Sequence, residues 1–170
     1  MSSLFVNNIK HGGGTAALNI DSTGRVTKPA LPFFVLTGDS EANKSMENGD
    51  RLGATDDGNT ALVSSNIAGV AGIRGFTYNS ATGEVNVPIS GVYHIGCNIF
   101  SNASETNLFA IYRNSLIAQY VQQDLIGNCT MDMVCVLTAN DKITFRNVRG
   151  STVTIYEGPA HTQVYGYLIG

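Results

Sequence analysis

The sequence predicts an all-β protein, and three observations predict it. The composition avoids helix. Short apolar runs alternate with turn residues along most of the chain. Several of those runs carry apolar residues on both faces of the expected strand.

The composition sets the class. The chain has 170 residues, 19 of them glycine, and only 14% are charged. A soluble domain usually has about a quarter charged residues. Lys and Glu, which fill the solvent faces of helices, are scarce, whereas Asn, Thr, Ser and Val are common. Such a low-charge, turn-rich chain reads as a β-sandwich or barrel. One domain of this length buries roughly 70% of the surface its unfolded chain exposes, so it needs no staples.

The chain divides at Pro29-Ala30-Leu31-Pro32. Residues 1–31 form an expected anchoring arm, and residues 32–170 a globular head. The arm opens on the apolar knot Leu4-Phe5-Val6, runs through Asn8-Ile9-Lys10 and reaches His11-Gly12-Gly13-Gly14. Ala17-Leu18-Asn19-Ile20 and Arg25-Val26-Thr27 then flank Asp21-Ser22-Thr23-Gly24, which predicts a hairpin about a turn. A lone hairpin is marginal in water, so this one is expected to order against a partner through Leu4, Phe5, Val6, Ile9, Leu18, Ile20, Arg25 and Val26. The prolines stiffen its exit.

The head reads as strand after strand. Phe33–Leu36 is a short apolar strand, and the polar run 37–60 reads as a long surface loop. Ala61–Val63 and Ile67–Ile73 are weaker strand candidates. Glu84–Val87 ends at Pro88. Gly91–Phe100 alternates, with Tyr93, Ile95, Cys97 and Ile99 on one face. Leu108–Arg113 and Leu116–Gln122 pair about Asn114-Ser115. Met131, Met133, Cys135 and Leu137 share a face of the next strand. Lys142–Val148, Thr152–Tyr156 and Val164–Ile169 complete the series.

Val134 and Val136 lie opposite Met133 and Cys135, and Tyr165, Tyr167 and Ile169 lie opposite Val164 and Leu168. A two-layer sandwich buries only one face of each sheet. The second face needs covering loops or another subunit. Several strands in the second half share the feature, which favours a subunit interface lined by Tyr93, Val134, Val136, Tyr165, Tyr167 and Ile169.

The segment from Gly75-Phe76-Thr77-Tyr78 through Thr82-Gly83-Glu84-Val85-Asn86-Val87-Pro88 to Gly91-Val92-Tyr93-His94-Ile95 resembles the signature of complement globular heads and their tumour-necrosis-factor-like relatives. Ile111-Tyr112-Arg113-Asn114, Leu137-Thr138-Ala139-Asn140-Asp141-Lys142-Ile143 and Val164–Ile169 follow in the family's order. Asn140 stands where the family usually has Gly; both tolerate a left-handed turn. The resemblance covers residues 32–170. It implies a ten-stranded jelly-roll β-sandwich that packs as a three-fold homotrimer, and a binding or scaffolding role without catalysis. The arm, from Phe5-Val6-Asn7-Asn8-Ile9-Lys10 to Asp21-Ser22-Thr23-Gly24-Arg25-Val26 and Pro29, is similar to the opening of tail and virion proteins of marine and cyanobacterial phages.

Other chemistry finds little support. Net charge is −3 and no basic block exists, so no nucleic-acid footprint is visible. No apolar stretch is long enough to cross a membrane as a helix. No secretory signal is recognisable, and the odd set Cys97, Cys129 and Cys135 reads as buried free thiols made in a reducing cytoplasm. His11-Gly-Gly-Gly resembles an esterase oxyanion loop, but no nucleophile elbow follows it, and a hinge is the simpler reading. Asp50, Asp56, Asp57 and Asn59 are hard oxygen ligands that leave calcium open, against a plain solvated loop. The expectation is therefore a non-catalytic virion protein assembled in a host cytoplasm: a trimeric capsid decoration protein whose arms grip a major capsid lattice. A tail-fibre or head-fibre module binding a receptor or glycan through residues 37–60 is the alternative.

Overall fold

The computed structural model describes residues 8–10, 16–20, 22–27, 31–39, 43–63, 72–101, 107–123, 127–156 and 158–169. The expectations placed on Leu4, Phe5, Val6 and His11–Gly14 lie outside them. The chain forms two compact units, Met1–Leu31 and Pro32–Gly170.

The first unit is an antiparallel sheet of β1 (Asn8–Lys10), β2 (Ala16–Ile20) and β3 (Val26–Thr27). Gly24 takes φ 80° in the β2–β3 turn, where a Cβ would be strained. Ile9 pairs with Leu18, and Ile20 with Val26. With the two-residue period of a strand, these four apolar side chains share one face. Ile9 and Val26 are exposed within this unit.

The second unit is a sandwich. One sheet has the order β11-β10-β13-β8-β7, from β7 (Thr77–Asn79), β8 (Glu84–Asn86), β10 (Asn107–Arg113), β11 (Leu116–Gln123) and β13 (Lys142–Asn147). The other contains β4 (Phe33–Thr37), β5 (Asn43–Met46), β6 (Gly72–Arg74), β9 (Gly91–Ser101), β12 (Gly127–Leu137), β14 (Val153–Tyr156) and β15 (Thr162–Leu168). Here β9 pairs with β15 and β14 on one edge and with β12 on the other. The chain passes back and forth between the sheets: β6 to β7 and β8, then β9, β10 and β11, β12, β13, and back to β14 and β15. That path is a jelly roll.

Among the described residues this unit has twelve strands rather than ten. Setting aside β5 and β14 leaves five strands in each sheet. Of the additional pair, β5 arises inside the run that reads as a surface loop. Within residues 37–60, the apolar residues Met46, Leu52 and Ala54 are all buried, and Asn59 with them. Each is a fixed point that pulls the polar chain onto the sandwich. Asn43–Met46 pairs with Val153–Tyr156, Leu52 N donates to Phe145 O at 2.7 Å, and a single 3-10 turn spans Thr55–Asp57. Tyr78 clamps the far end: its hydroxyl donates to Gly53 O at 2.7 Å and accepts from Leu62 N at 3.0 Å.

The core lies between the sheets. Phe34, Leu36, Tyr93, Ile95, Cys97, Ile99, Phe109, Ile111, Ile143, Phe145 and Val164 are all buried. Phe34, Phe76 and Tyr93 meet edge-on with ring centroids 4.9 and 5.6 Å apart. Gly166 makes this possible. A Cβ there would sit 2.5 Å from Ile95 Cδ1 and 2.6 Å from Phe34 Cε1. Gly166→Ala is therefore expected to overpack the core and cost roughly 1–3 kcal/mol, read as a lower urea midpoint. An unchanged midpoint would show that the rings move aside freely.

Two turns need left-handed backbone at asparagine: Asn114 has φ 55° and Asn140 φ 71°. Asp141 ties them together. It accepts from Thr138 N at 2.7 Å and Asn114 Nδ2 at 2.9 Å, and pairs with Arg113 Nε at 2.8 Å. Burial alone would raise its pKa, but these donors outweigh burial and hold the carboxyl below the ordinary range. Asp57, gripped by Arg51, is lowered in the same way. A lowered native value adds stability above about pH 4, the ordinary carboxylate value, and that stability is lost as pH falls through the native value. The melting temperature is thus expected to drop on acidification below about pH 4, and Asp141→Asn to shallow that drop. An identical acid profile in the variant would exclude Asp141 from it.

Candidate interaction surface

The outward face of the seven-stranded sheet is built by strand parity. Tyr93, Ile95, Cys97 and Ile99 of β9 turn inward, so Val92, His94, Gly96, Asn98 and Phe100 turn outward. The register aligns them in rows. Val134 lies opposite His94, which lies opposite Tyr167, which lies opposite Phe33. The next row is Asp132, Gly96, Tyr165 and Val35. Val136 pairs with Val92, and Ile169 N donates to Val92 O at 2.7 Å.

The result is an apolar face left open in the single chain. Val134, Val136, Tyr167 and Ile169 are 63%, 68%, 47% and 48% exposed. These four expected interface residues fall together, with Tyr165 beside them. Tyr93 does not. It is 0% exposed, points into the core, and donates its hydroxyl to Ile89 O at 2.7 Å. Its alternation partners Ile95 and Cys97 already place it inward. Grouping it with Val134 overlooks that β9 and β12 each have an inner row. Sequence reasoning did not include Val92, Phe33 and Val35, whose outward direction depends on a register that no single strand reveals.

A second apolar area lies at the edge where β11 and β12 end their sheets. A groove of about 450 Å³ opens there, lined by Leu116, Ile117, Met133, Cys135 and Val136, with Arg113 at one end. Leu116, Ile117 and Tyr120 are 76%, 53% and 65% exposed. Val136 belongs to both the groove and the outward face, so the two areas are continuous.

A polar cluster borders the apolar rows. Asp132 Oδ1 accepts from the Tyr165 hydroxyl at 2.6 Å and lies 3.0 Å from His94 Nε2. Burial, then the bond to Asp132, pushes the Tyr165 phenol up, so it stays protonated and donates. The His94 ring stands edge-on to Tyr167 at 5.1 Å.

Chemically reactive groups are quiet. Burial raises the Cys97 thiol well above its ordinary value and pushes Cys129 up to about 12; Cys135 is raised by burial too. A thiol held protonated is a poor nucleophile and metal ligand. The acidic residues of 50–59 do not converge on a cation. Asp57 gives both oxygens to Arg51, at 2.7 and 2.8 Å, and Asp50 Oδ2 accepts from Glu47 N at 2.7 Å. Among the described residues no cluster of three His, Cys, Asp or Glu side chains is placed to hold a metal.

Comparison with solved structures decides the fold. Eiger TNF from S. frugiperda superposes with a TM-score of 0.67 at 16% identity, over 83% of this chain and 94% of that one. Murine APRIL superposes with a TM-score of 0.58 at 13% identity, over 82% and 99%. The fold is a tumour-necrosis-factor-like jelly roll. No family model and no curated protein matches the sequence. The tumour-necrosis-factor-like sandwich therefore presents one open sheet face, and β11 and β12 frame the groove beside it.

Proposed function

We propose that the chain is a non-catalytic structural protein that works as a homotrimer, and that it serves as a virion capsid decoration protein held by its N-terminal arms. The observation that carries the trimer is an apolar area that runs from the open sheet face onto the groove edge of one chain. A face and an edge of different shape favour a heterologous contact, in which the edge of one copy covers the face of the next. Such a contact closes as a ring when the rotation between copies divides a full turn, and the fold family inferred from the sequence closes with three members. The β5–β14 pair lies in the same sheet as this face, so the head retains the open face in spite of its added strands.

The capsid role is supported by the arm. Its sheet puts Ile9, Leu18, Ile20 and Val26 on one face, a patch suited to docking on another protein. Arg25 is exposed beside them. Three arms on one trimer bind by effective concentration, so weak single contacts suffice. Binding only to the assembled lattice would stabilise that lattice.

Two measurements test this. Sedimentation of the full chain should give a trimer at micromolar concentration; a monomer there defeats the assembly. The full chain should cosediment with assembled capsid lattices, and Ile9→Asp/Val26→Asp should not. Cosedimentation of that variant at wild-type level defeats the arm as anchor. Binding to a glycan array with no affinity for capsids supports the receptor-binding alternative instead.

A further inference from the structure

The Asp132 cluster has a consequence for assembly, and it rests on the trimer reading above. A carboxylate sits at the margin of the apolar face beside the Tyr165 ring, with the row Val134, His94, Tyr167 on one side and the row Thr130, Asn98, Gln163 on the other. The cluster is built rather than incidental. Gly96 lies beneath it, and a Cβ there would fall 2.5 Å from Asp132 Oδ1 and 2.6 Å from the Tyr165 hydroxyl. No residue larger than glycine leaves room for the bond. Both donors converge on Oδ1, so Tyr165 and His94 leave Oδ2 to water. The Asp132 side chain is 45% exposed, which keeps that oxygen hydrated in the single chain.

Covering the face removes that water. The groups around Asp132 then decide its charge. On β9 stands His94, whose Nε2 must carry its hydrogen to face a carboxylate oxygen. On β15 stand Tyr165 and Tyr167. On β4 only Phe33 and Val35 face it, and on β6 Arg74 lies over the Phe33 ring with its Cζ 4.9 Å from the centroid, committed one column away. Cys97 lies behind, on the inner side, as a protonated thiol. With His94 neutral the cluster carries one negative charge, and burying an unpaired carboxylate is costly. One proton on the His94–Asp132 pair neutralises the cluster and keeps both bonds to Oδ1.

We infer that assembly of this chain through the outward sheet face takes up one proton per subunit at the His94–Asp132 pair, so that assembly strengthens as pH falls. The sign follows from linkage. Where the covered state holds the proton and the open state does not, raising pH pulls toward the open state. With one proton per subunit the trimer association constant falls by up to about 1000-fold per pH unit, and the half-assembly concentration rises by up to about 30-fold.

The test is sedimentation of the full chain across concentrations at pH 5, 6.5 and 8, for wild type and Asp132→Asn. Asparagine keeps the Oδ1 acceptor and removes the charge. Wild type is expected to need at least about tenfold more protein for half-assembly at pH 8 than at pH 5. Asp132→Asn is expected to show no such rise and to assemble at lower concentration than wild type at pH 8. A wild-type trimer with no pH dependence, or one that tightens as pH rises, overturns the inference and leaves the trimer standing. So does a variant that keeps the wild-type slope. Monomers of both proteins at every pH overturn the trimer reading and this inference with it. The wild-type series decides the matter even if the variant folds poorly.

Discussion

Replacing Val134 and Val136 together by aspartate is expected to give a folded monomer. Both side chains are more than half exposed in the single chain, at 63% and 68%, so the substitutions break no core contact. The fold should lose no more than about 1 kcal/mol per site, chiefly from the poor strand propensity of aspartate. In the proposed assembly the same positions would be covered, and two charges per subunit would lose their water. The desolvation cost of an unpaired buried charge is several kcal/mol. The half-assembly concentration should rise by more than about 100-fold, since each 1.4 kcal/mol is a factor of ten. Sedimentation reads the mass and circular dichroism the fold. A double variant that is still a trimer at the wild-type concentration would exclude this face from the interface.

Asn147→Ala is expected to be the most damaging single substitution in the head, at about 3–5 kcal/mol. The side chain is fully buried. Its amide donates to Met46 O at 2.9 Å, Glu47 O at 3.0 Å and Ser151 O at 2.9 Å, and its oxygen accepts from Arg149 N at 3.1 Å. One side chain thus satisfies backbone groups from the end of β5, the residue after it and the turn before β14. Alanine would leave them without partners, and each unsatisfied buried group costs roughly 1–3 kcal/mol. Urea denaturation measures the loss. A loss below about 1 kcal/mol would mean that water replaces the amide at little cost.

This asparagine also marks the limit of reading from sequence. Residues 37–60 have the polarity of a loop, and their fold depends on contacts about a hundred positions away in the chain. Met46 and Leu52 are isolated apolar residues in that run, with no periodicity to reveal a strand. Only Val153–Tyr156 pairing against Asn43–Met46, and Asn147 reaching across, make the segment part of the sheet. By contrast β9 was legible in full. Its inward row Tyr93, Ile95, Cys97 and Ile99 is a two-residue alternation that only a half-buried strand explains.

The open face was legible in part. Val134, Val136, Tyr167 and Ile169 stand out as apolar residues on the wrong side of their strands, and local pattern suffices to find them. Phe33 and Val35 join them only through pairing with β15, and Asp132 meets Tyr165 and His94 only because three strands align in register. By itself, then, the sequence determined the all-β class, most strand positions and the inward rows, because alternation and turn chemistry act over a few residues. Tertiary structure alone decided that the polar run joins the sheet and that a carboxylate borders the apolar rows. Those depend on register and sheet order, which bring together residues that no local pattern connects.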